Sequence, residues 1–213
     1  LLIVEHPAVA ERLAMVRDAS TPTAQFRRLV EEIGVFLAYE ATRRLPVVSA
    51  EVRTPLGPAV GARLAHAPVV APILRAGLGL LPGFLQVIPQ AEVAHLGFYR
   101  DPKTLRAVPY YANCPDALTD RAVVVLDPML ATGHSGIAAL DLLATRGARN
   151  VIFVCLIAAP EGIATLQTAY QDAYVVTAAV DLRLNDHGYI VPGLGDAGDR
   201  MFGSASSLPI AAR

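Results

Sequence analysis

The stretch Val123-Val-Val-Leu-Asp-Pro-Met-Leu-Ala-Thr-Gly-His-Ser135 limits what this chain can fold into more than any other segment. Its apolar start reads as a buried β-strand that ends in an acid, Asp127. A turn of small residues follows. After it, Ile137, Leu140, Leu143 and Ala144 line one face of a helix that Gly147 closes at a C-cap position. In that order the loop N–H groups and the helix N-terminus point at one spot, where an anion gains from unpaired donors and from the helix dipole. Thr132 and Ser135 add hydroxyl donors, and Gly133 lets the backbone come close. Asp127 can accept from the two hydroxyls of a ribose. An acid for the sugar and a cage for its phosphate suggest a ribose 5-phosphate site. Strand–acid–loop–helix also recurs in many α/β proteins, so spacing alone leaves a plain turn acid as an equal reading. The chain has no Gly-Lys-Ser/Thr, which removes the P-loop reading, and no Gly-x-Gly-x-x-Gly is expected to open a helix after a strand, which sets the dinucleotide reading aside.

The rest of the chain suits a single α/β domain over residues 1–213. Its 213 residues are enough to bury roughly 70% of the unfolded surface. A content of 54% hydrophobic and 17% charged residues is apolar for such a domain. A parallel sheet covered on both faces accounts for part of that, and a buried homo-oligomer interface for more. Pro22 after Thr21 marks a helix start, with Thr21 as N-cap, and Phe26, Leu29, Val30, Ile33 and Leu37 carry the helix to about Arg43. Residues 47–53 and 59–64 around Gly57-Pro58 read as a hairpin. Strands are predicted at 69–74, 93–98, 122–126, 151–157 and 175–180, with helices near 77–87, 135–146 and 161–170. That alternation predicts a parallel sheet flanked by helices, with ligands at the strands' carboxyl ends. Arg75, Arg100 and Asp127 all fall at such ends.

Composition also excludes. The longest uncharged run, Ala76 to Ala91, is broken by three glycines and two prolines and is too short to span a membrane. No basic-then-apolar leader opens the chain. Cys114 and Cys155 stand alone without metal spacing, so a reduced, cytoplasmic setting is expected. With 18 basic and 19 acidic residues and a net charge of −1, no nucleic-acid surface is expected.

Leu126-Asp-Pro-Met-Leu-Ala-Thr-Gly resembles the phosphoribosyl pyrophosphate (PRPP) motif of the type I phosphoribosyltransferases. Pro128, where most of that superfamily has a second acid, is similar to its uracil-using branch. Pro72-Ile-Leu-Arg-Ala-Gly-Leu-Gly79, Gly97-Phe-Tyr-Arg100 and Gly188-Tyr-Ile-Val-Pro-Gly-Leu-Gly-Asp-Ala-Gly-Asp199 fit the same family in order, as do Tyr39-Glu-Ala-Thr42 and Ala159-Pro-Glu-Gly162. The likeness covers nearly the whole chain, and the last long motif is specific to the uracil enzymes. It implies the type I fold, with a small hood and a β-hairpin arm.

The resemblance also implies a division of labour. The 5-phosphate goes to Ala131, Thr132, Gly133, His134 and Ser135, with Pro128, Met129 and Leu130 completing the PRPP loop. Asp127 takes the ribose hydroxyls. Arg75, before a Gly-rich donor loop, and Arg100 clamp the diphosphate, and a non-proline cis peptide is implied at Leu74–Arg75. The segment from Arg100 to Pro115 becomes a lid that excludes water. Ile190, Gly195, Asp196 and Ala197 match the base-reading positions, where backbone N–H, C=O and N–H suit the acceptor–donor–acceptor edge of uracil. Asp196 faces the PRPP–Mg²⁺ side, and Mg²⁺ is held mainly through PRPP. Arg75, Arg100, Asp127 and Asp196 are the expected catalytic set. His134 departs from the pattern, which has a second glycine there, and is read as a tolerated decoration. Alternatives are a phosphoribosyltransferase for another base, a regulatory RNA-binding relative that kept the PRPP pocket, and a catalytically silent scaffold.

Overall fold

The computed structural model describes residues 1–100 and 107–203. The chain opens with a two-residue strand, β1 (Leu2–Ile3), and a helix, α1 (Pro7–Arg17). His6 starts α1: its Nδ1 accepts the Ala8 N–H at 3.1 Å, and Pro7 sits in the first turn, where its missing N–H costs nothing. Helix α2 (Thr23–Ala41) buries the predicted stripe of Phe26, Leu29, Val30, Ile33 and Leu37. A hairpin of β2 (Val47–Thr54) and β3 (Gly57–Leu64) then projects with mostly exposed side chains. Strand β4 (Val69–Leu74), a 3₁₀ turn (Ala76–Gly79) and α3 (Leu81–Val87) follow. Next come β5 (Glu92–Val93), β6 (His95–Arg100) and β7 (Ala107–Asn113). Strand β8 (Ala122–Leu126), β9 (Met129–Leu130) and α4 (His134–Ala144) carry the Val123–Ser135 motif. The chain continues through β10 (Asn150–Ala158), α5 (Pro160–Ala169) and β11 (Tyr174–Val180). A small pair, β12 (Arg183–Leu184) and β13 (Ile190–Val191), and α6 (Ala197–Phe202) complete it.

The main sheet runs β1-β11-β10-β8-β4-β6-β7, with β5 on β4 and β9 on β10. All its pairings are parallel except β6 with β7. The strand period of two splits the core cleanly. Val124 and Leu126 pack on the side of α1, α2 and α3, whereas Val123 and Val125 pack toward Leu140 and Leu143 of α4 and Leu166 of α5. Both faces are therefore covered, as the continuous apolar strands require. Strand β4 leads to β6 on one side, while β8 leads to β10 and β11 on the other. The crevice between the ends of β4 and β8 is thus the topological switch point. No helix among the described residues is long and apolar enough to cross a membrane.

Five local expectations shift. Pro22, not Thr21, is the N-cap of α2, and the Thr21 hydroxyl instead donates to the Met15 carbonyl at 2.6 Å. That helix ends at Ala41. The hairpin turn is Pro55-Leu56, with Gly57 opposite Thr54 and Pro58 already in the ladder, as an isolated two-stranded ribbon permits. The helix expected over 77–87 splits, because Pro82 suits the first turn of a new helix and a side chain on Gly77 would run into the Leu126 carbonyl. The segment read as an irregular lid contains β7, an edge strand with exposed side chains that leave no apolar alternation to read. It tolerates Pro109 where the ladder with β6 slips at Gly97/Phe98. Residues 101–106 of that segment lie outside the described residues.

Helices α2 and α3 cross where Gly34 faces Leu80 and Gly83 faces the backbone of α2. A Cβ on Gly83 would stand 2.7 Å from the Val35 nitrogen and 2.8 Å from the Gly34 carbonyl carbon. Gly83→Ala is expected to force the helices apart at a cost of about 1–3 kcal/mol. In urea unfolding this reads as a lower midpoint at unchanged slope. An unchanged midpoint would show that the crossing relaxes freely.

Candidate active site

The motif folds as its sequence suggests. Asp127 follows β8 directly, held by its N–H to the Val154 carbonyl at 3.0 Å. Gly133 adopts φ +84° as the N-cap of α4, and no side-chain hydrogen bond caps that end. Asp127, Met129, Leu130, Ala131, Thr132, Gly133 and Ser135 line a cavity of about 190 Å³, together with Phe153 and with Gly188 of the hood, the segment from Arg183 to Phe202 that carries β12, β13 and α6. The uncapped N–H groups and the helix dipole favour an anion there. His134 is exposed and does not line the cavity. Pro128 is buried beneath it, its carbonyl accepting the N–H groups of Leu156 and Ile157.

A neighbouring unit braces this cage. A Cβ on Gly162 would collide with the Ala131 carbonyl and lie 2.7 Å from that of Leu130, so only glycine lets α5 pass beneath the loop. Glu161 beside it accepts the Leu184 N–H at 3.0 Å and ties α5 to the hood. The family resemblance alone assigns the Ala159–Gly162 segment no role. Its job is this close approach.

Asp127 is partly buried, and its carboxyl is pushed up to about 7. Desolvation is the main cause, the Met129 N–H opposes it, and the nearby negative Asp196 adds to it. The acid is therefore poised to gain from any hydroxyl donors that enter.

The Leu74–Arg75 peptide is cis, as implied. Arg75 reaches toward the hood, where its Nη2 lies 3.4 Å from the Asp199 carboxylate. A Cβ on Gly198 would be 3.2 Å from Asp196 Oδ1 and 4.0 Å from Arg75 Nη2. Arg75, Asp196 and Asp199 thus share one corner of the crevice. Asp196 has a second employment that sequence reading missed: its Oδ1 caps α6 by accepting the Asp199 N–H at 2.8 Å. Asp199 as the partner of Arg75 was also missed, although it closes the same motif. Arg100 ends β6 with its backbone paired to Ala107, and its side chain lies outside the described residues.

The last motif forms the wall opposite, and it corrects one expectation: Gly193-Leu-Gly-Asp-Ala-Gly198 is a Gly-x-Gly-x-x-Gly run between β13 and α6, but a two-residue antiparallel strand and a six-residue helix are not the βαβ unit of a dinucleotide site. Val191–Pro192 is cis, and Gly193 and Gly195 have φ of +65° and +78°. Ile190 is buried in the β12–β13 pair. No hydrogen bond among the described residues takes the N–H of Gly195 or Ala197. Donors of this kind beside a cavity that combines an acid with an open helix N-terminus can read the edge of a planar base.

Larger hollows lie elsewhere. One of about 570 Å³ between α1 and α2 holds Arg12 and Arg28, but Glu32 accepts from both at 2.6 and 2.8 Å. Its cations are already paired, so size does not decide the site here.

Comparison with known proteins agrees with this geometry. The family model for uracil phosphoribosyltransferase matches residues 3–204. The uracil phosphoribosyltransferase of Dictyoglomus turgidum is 51% identical over 96% of this chain and 99% of its own length. That of Paracoccus denitrificans is 52% identical over 96% and 97%. A solved protein from Aquifex aeolicus superposes with a TM-score of 0.91 at 38% identity, covering 97% of this chain and 99% of that one. The adenine phosphoribosyl transferase of Trypanosoma brucei, at 13% identity and a TM-score of 0.57 over 99% of this chain and 91% of its own, shares the fold. The expected architecture is the one observed, and the chain belongs to the uracil phosphoribosyltransferase family.

Proposed function

We propose that this protein transfers the 5-phosphoribosyl group of PRPP to N1 of uracil, giving UMP and diphosphate in pyrimidine salvage. The observation that carries the reading is the meeting of three elements at one crevice: the acid-and-phosphate cavity after β8, Arg75 after β4, and the Gly193–Ala197 wall. Ala131 to Ser135 receive the 5-phosphate, Asp127 the ribose hydroxyls, and Arg75 with Arg100 the diphosphate. The N–H groups of the last loop receive uracil oxygens. Cytosine would set an amine donor against a backbone donor and leave both unpaired.

The protein's own part in the chemistry is positioning and charge. Uracil N1 attacks C1 as the bond to diphosphate breaks, its proton passing to the departing diphosphate or to solvent, and the sugar passes through oxocarbenium character. Arg75 stabilises the negative charge that grows on the leaving group. Asp127 holds the ribose in line. Mg²⁺, when bound, neutralises diphosphate charge. It suits oxygen ligands, and the carboxylates of Asp196 and Asp199 lie on the turn beside Arg75, so the residues fit an ion held mainly through PRPP with outer support from that turn. Two free thiols support a cytoplasmic setting. The exposed Val47, Val52, Leu56 and Val60 of the hairpin support assembly as a homo-oligomer.

The direct test is UMP formation from PRPP and uracil, with cytosine as the competing base. Uracil is expected to win by about 10⁴-fold in kcat/KM, the range that hydrogen-bond readout reaches. Comparable values for the two bases would remove backbone recognition.

His134→Gly is expected to leave the KM for PRPP within a few-fold and its pH profile unchanged, since the imidazole is exposed and off the cavity wall. A pH midpoint near neutrality that vanishes in the variant would make His134 a phosphate ligand instead.

Asp127 supplies a test on the unliganded protein. Its carboxyl titrates at about 7 when folded and at the ordinary 3.8 when unfolded. The folded state therefore holds the extra proton between those values, and stability falls as pH rises through that window. Asp127→Asn is expected to raise Tm at pH 8 by at least about 2 °C, with the gain gone near pH 4, while PRPP binding is lost. The same Tm change at both pH values would show that the buried charge is not the cause.

A further inference from the structure

We infer that Arg17 and Asp181 are positioning residues for base recognition, acting through the backbone of Gly193. The inference rests on the reading of the Ile190–Ala197 loop as the uracil wall. Asp181 is buried, just past the end of β11. Its Oδ2 accepts the Gly193 N–H at 2.9 Å, and its two oxygens take the two prongs of Arg17 at 2.8 and 2.5 Å. The same Arg17 Nη1 donates to the Gly193 carbonyl at 2.8 Å. One ion pair thus takes both backbone groups of one residue. Gly193 itself cannot be replaced without strain, because its φ is +65° and a Cβ would collide with the Ile190 carbonyl.

A second arginine works in the opposite direction. Arg200 of α6 donates to the Leu194 carbonyl at 2.8 Å and to the Val16 and Asp18 carbonyls at 2.5 Å each, with its guanidinium stacked 4.3 Å from the Phe26 ring centre. The Val16 and Asp18 carbonyls at the end of α1, of which Asp18 also accepts the Thr21 N–H at 3.2 Å, are thereby tied to the segment that follows the loop. Three backbone groups of two successive residues, Gly193 N–H, Gly193 C=O and Leu194 C=O, are tied to charged side chains. Gly195 to Ala197 follow at once.

The plainer reading is a stabilising salt bridge. Asp181 is buried and Arg17 about a quarter exposed, so the pair gives up much of its hydration and is a weak device for stability alone. What apolar residues cannot do is hold a peptide's donor and acceptor at once. A Gly-rich loop that reads a base by its backbone needs such support, because it has few side chains of its own to fix it.

The test compares Arg17→Met, Arg17→Lys, Asp181→Asn and Gly195→Ala. Folding is followed by circular dichroism and thermal unfolding, PRPP affinity by calorimetry, and uracil and cytosine by steady-state kinetics. Arg17→Met is expected to raise the KM for uracil about tenfold or more and to lower the uracil-to-cytosine ratio, while PRPP affinity stays within about threefold. Arg17→Lys keeps the charge beside Asp181 without the fork and should recover part of the loss. Asp181→Asn keeps an acceptor for Gly193 and should show the same selective pattern in a folded protein, even where Arg17→Met fails to fold. Unchanged uracil KM in the folded variants, with Gly195→Ala impaired, overturns the positioning role and leaves the loop assignment intact. Unchanged KM in Gly195→Ala as well overturns the loop assignment itself. Equal losses for uracil and PRPP, or failure of Asp181→Asn to fold, make the pair a structural bridge and overturn the proposal.

Discussion

Pro72 of β4 lies opposite Leu126 of β8 in a parallel ladder, and the site depends on that register. Both strands run in the same direction and stop within two residues of each other, so Arg75 and Asp127 emerge on the same edge of the sheet. The chain then departs in opposite directions, toward β6 and toward β10, and leaves a gap that no crossover covers. A shift of one residue would turn Val123 and Val125 to the wrong layer of helices, so the buried faces lock the register. The chemistry at the strand ends inherits its alignment from apolar packing below it.

Much of this was legible because each layer carries its own sequence signal. The apolar runs at 69–74 and 122–126 have the observed bounds, since a strand buried on both faces has nothing but apolar residues to show. Asp127 and the small-residue loop were legible for the same reason: a loop that turns its backbone donors inward at a helix start needs small residues. Helix α1 was not. Its buried residues, Val9, Leu13 and Val16, sit among Ala8, Ala10, Ala14 and Met15, and apolar residues on all sides erase the stripe that marks a surface helix. Strand β7 was lost for the opposite reason, because its side chains from Pro109 to Asn113 stay in solvent.

Contacts between distant segments were the least legible. Nothing local in Arg17 announces Asp181, and nothing in Gly162 announces the Ala131 carbonyl. Glycine carries this information only as the absence of a side chain, whose cause lies elsewhere in the fold. Asp196 shows a further limit. Its place in a functional motif gave no hint that one of its oxygens is spent on capping α6.

The close passage of Gly162 under Ala131 also bears on what can be transplanted. The segment from Asp127 to Ser135 looks like a portable cassette, short and contiguous, with its own strand and helix. Its floor, however, is supplied by the next βα unit, and Glu161 of that unit reaches on to the hood. Grafting the loop alone into another parallel sheet would deliver the donors without the surface that shapes them. The minimal heritable piece is two consecutive βα units, and variation in the loop is free only within the space that α5 leaves beneath it.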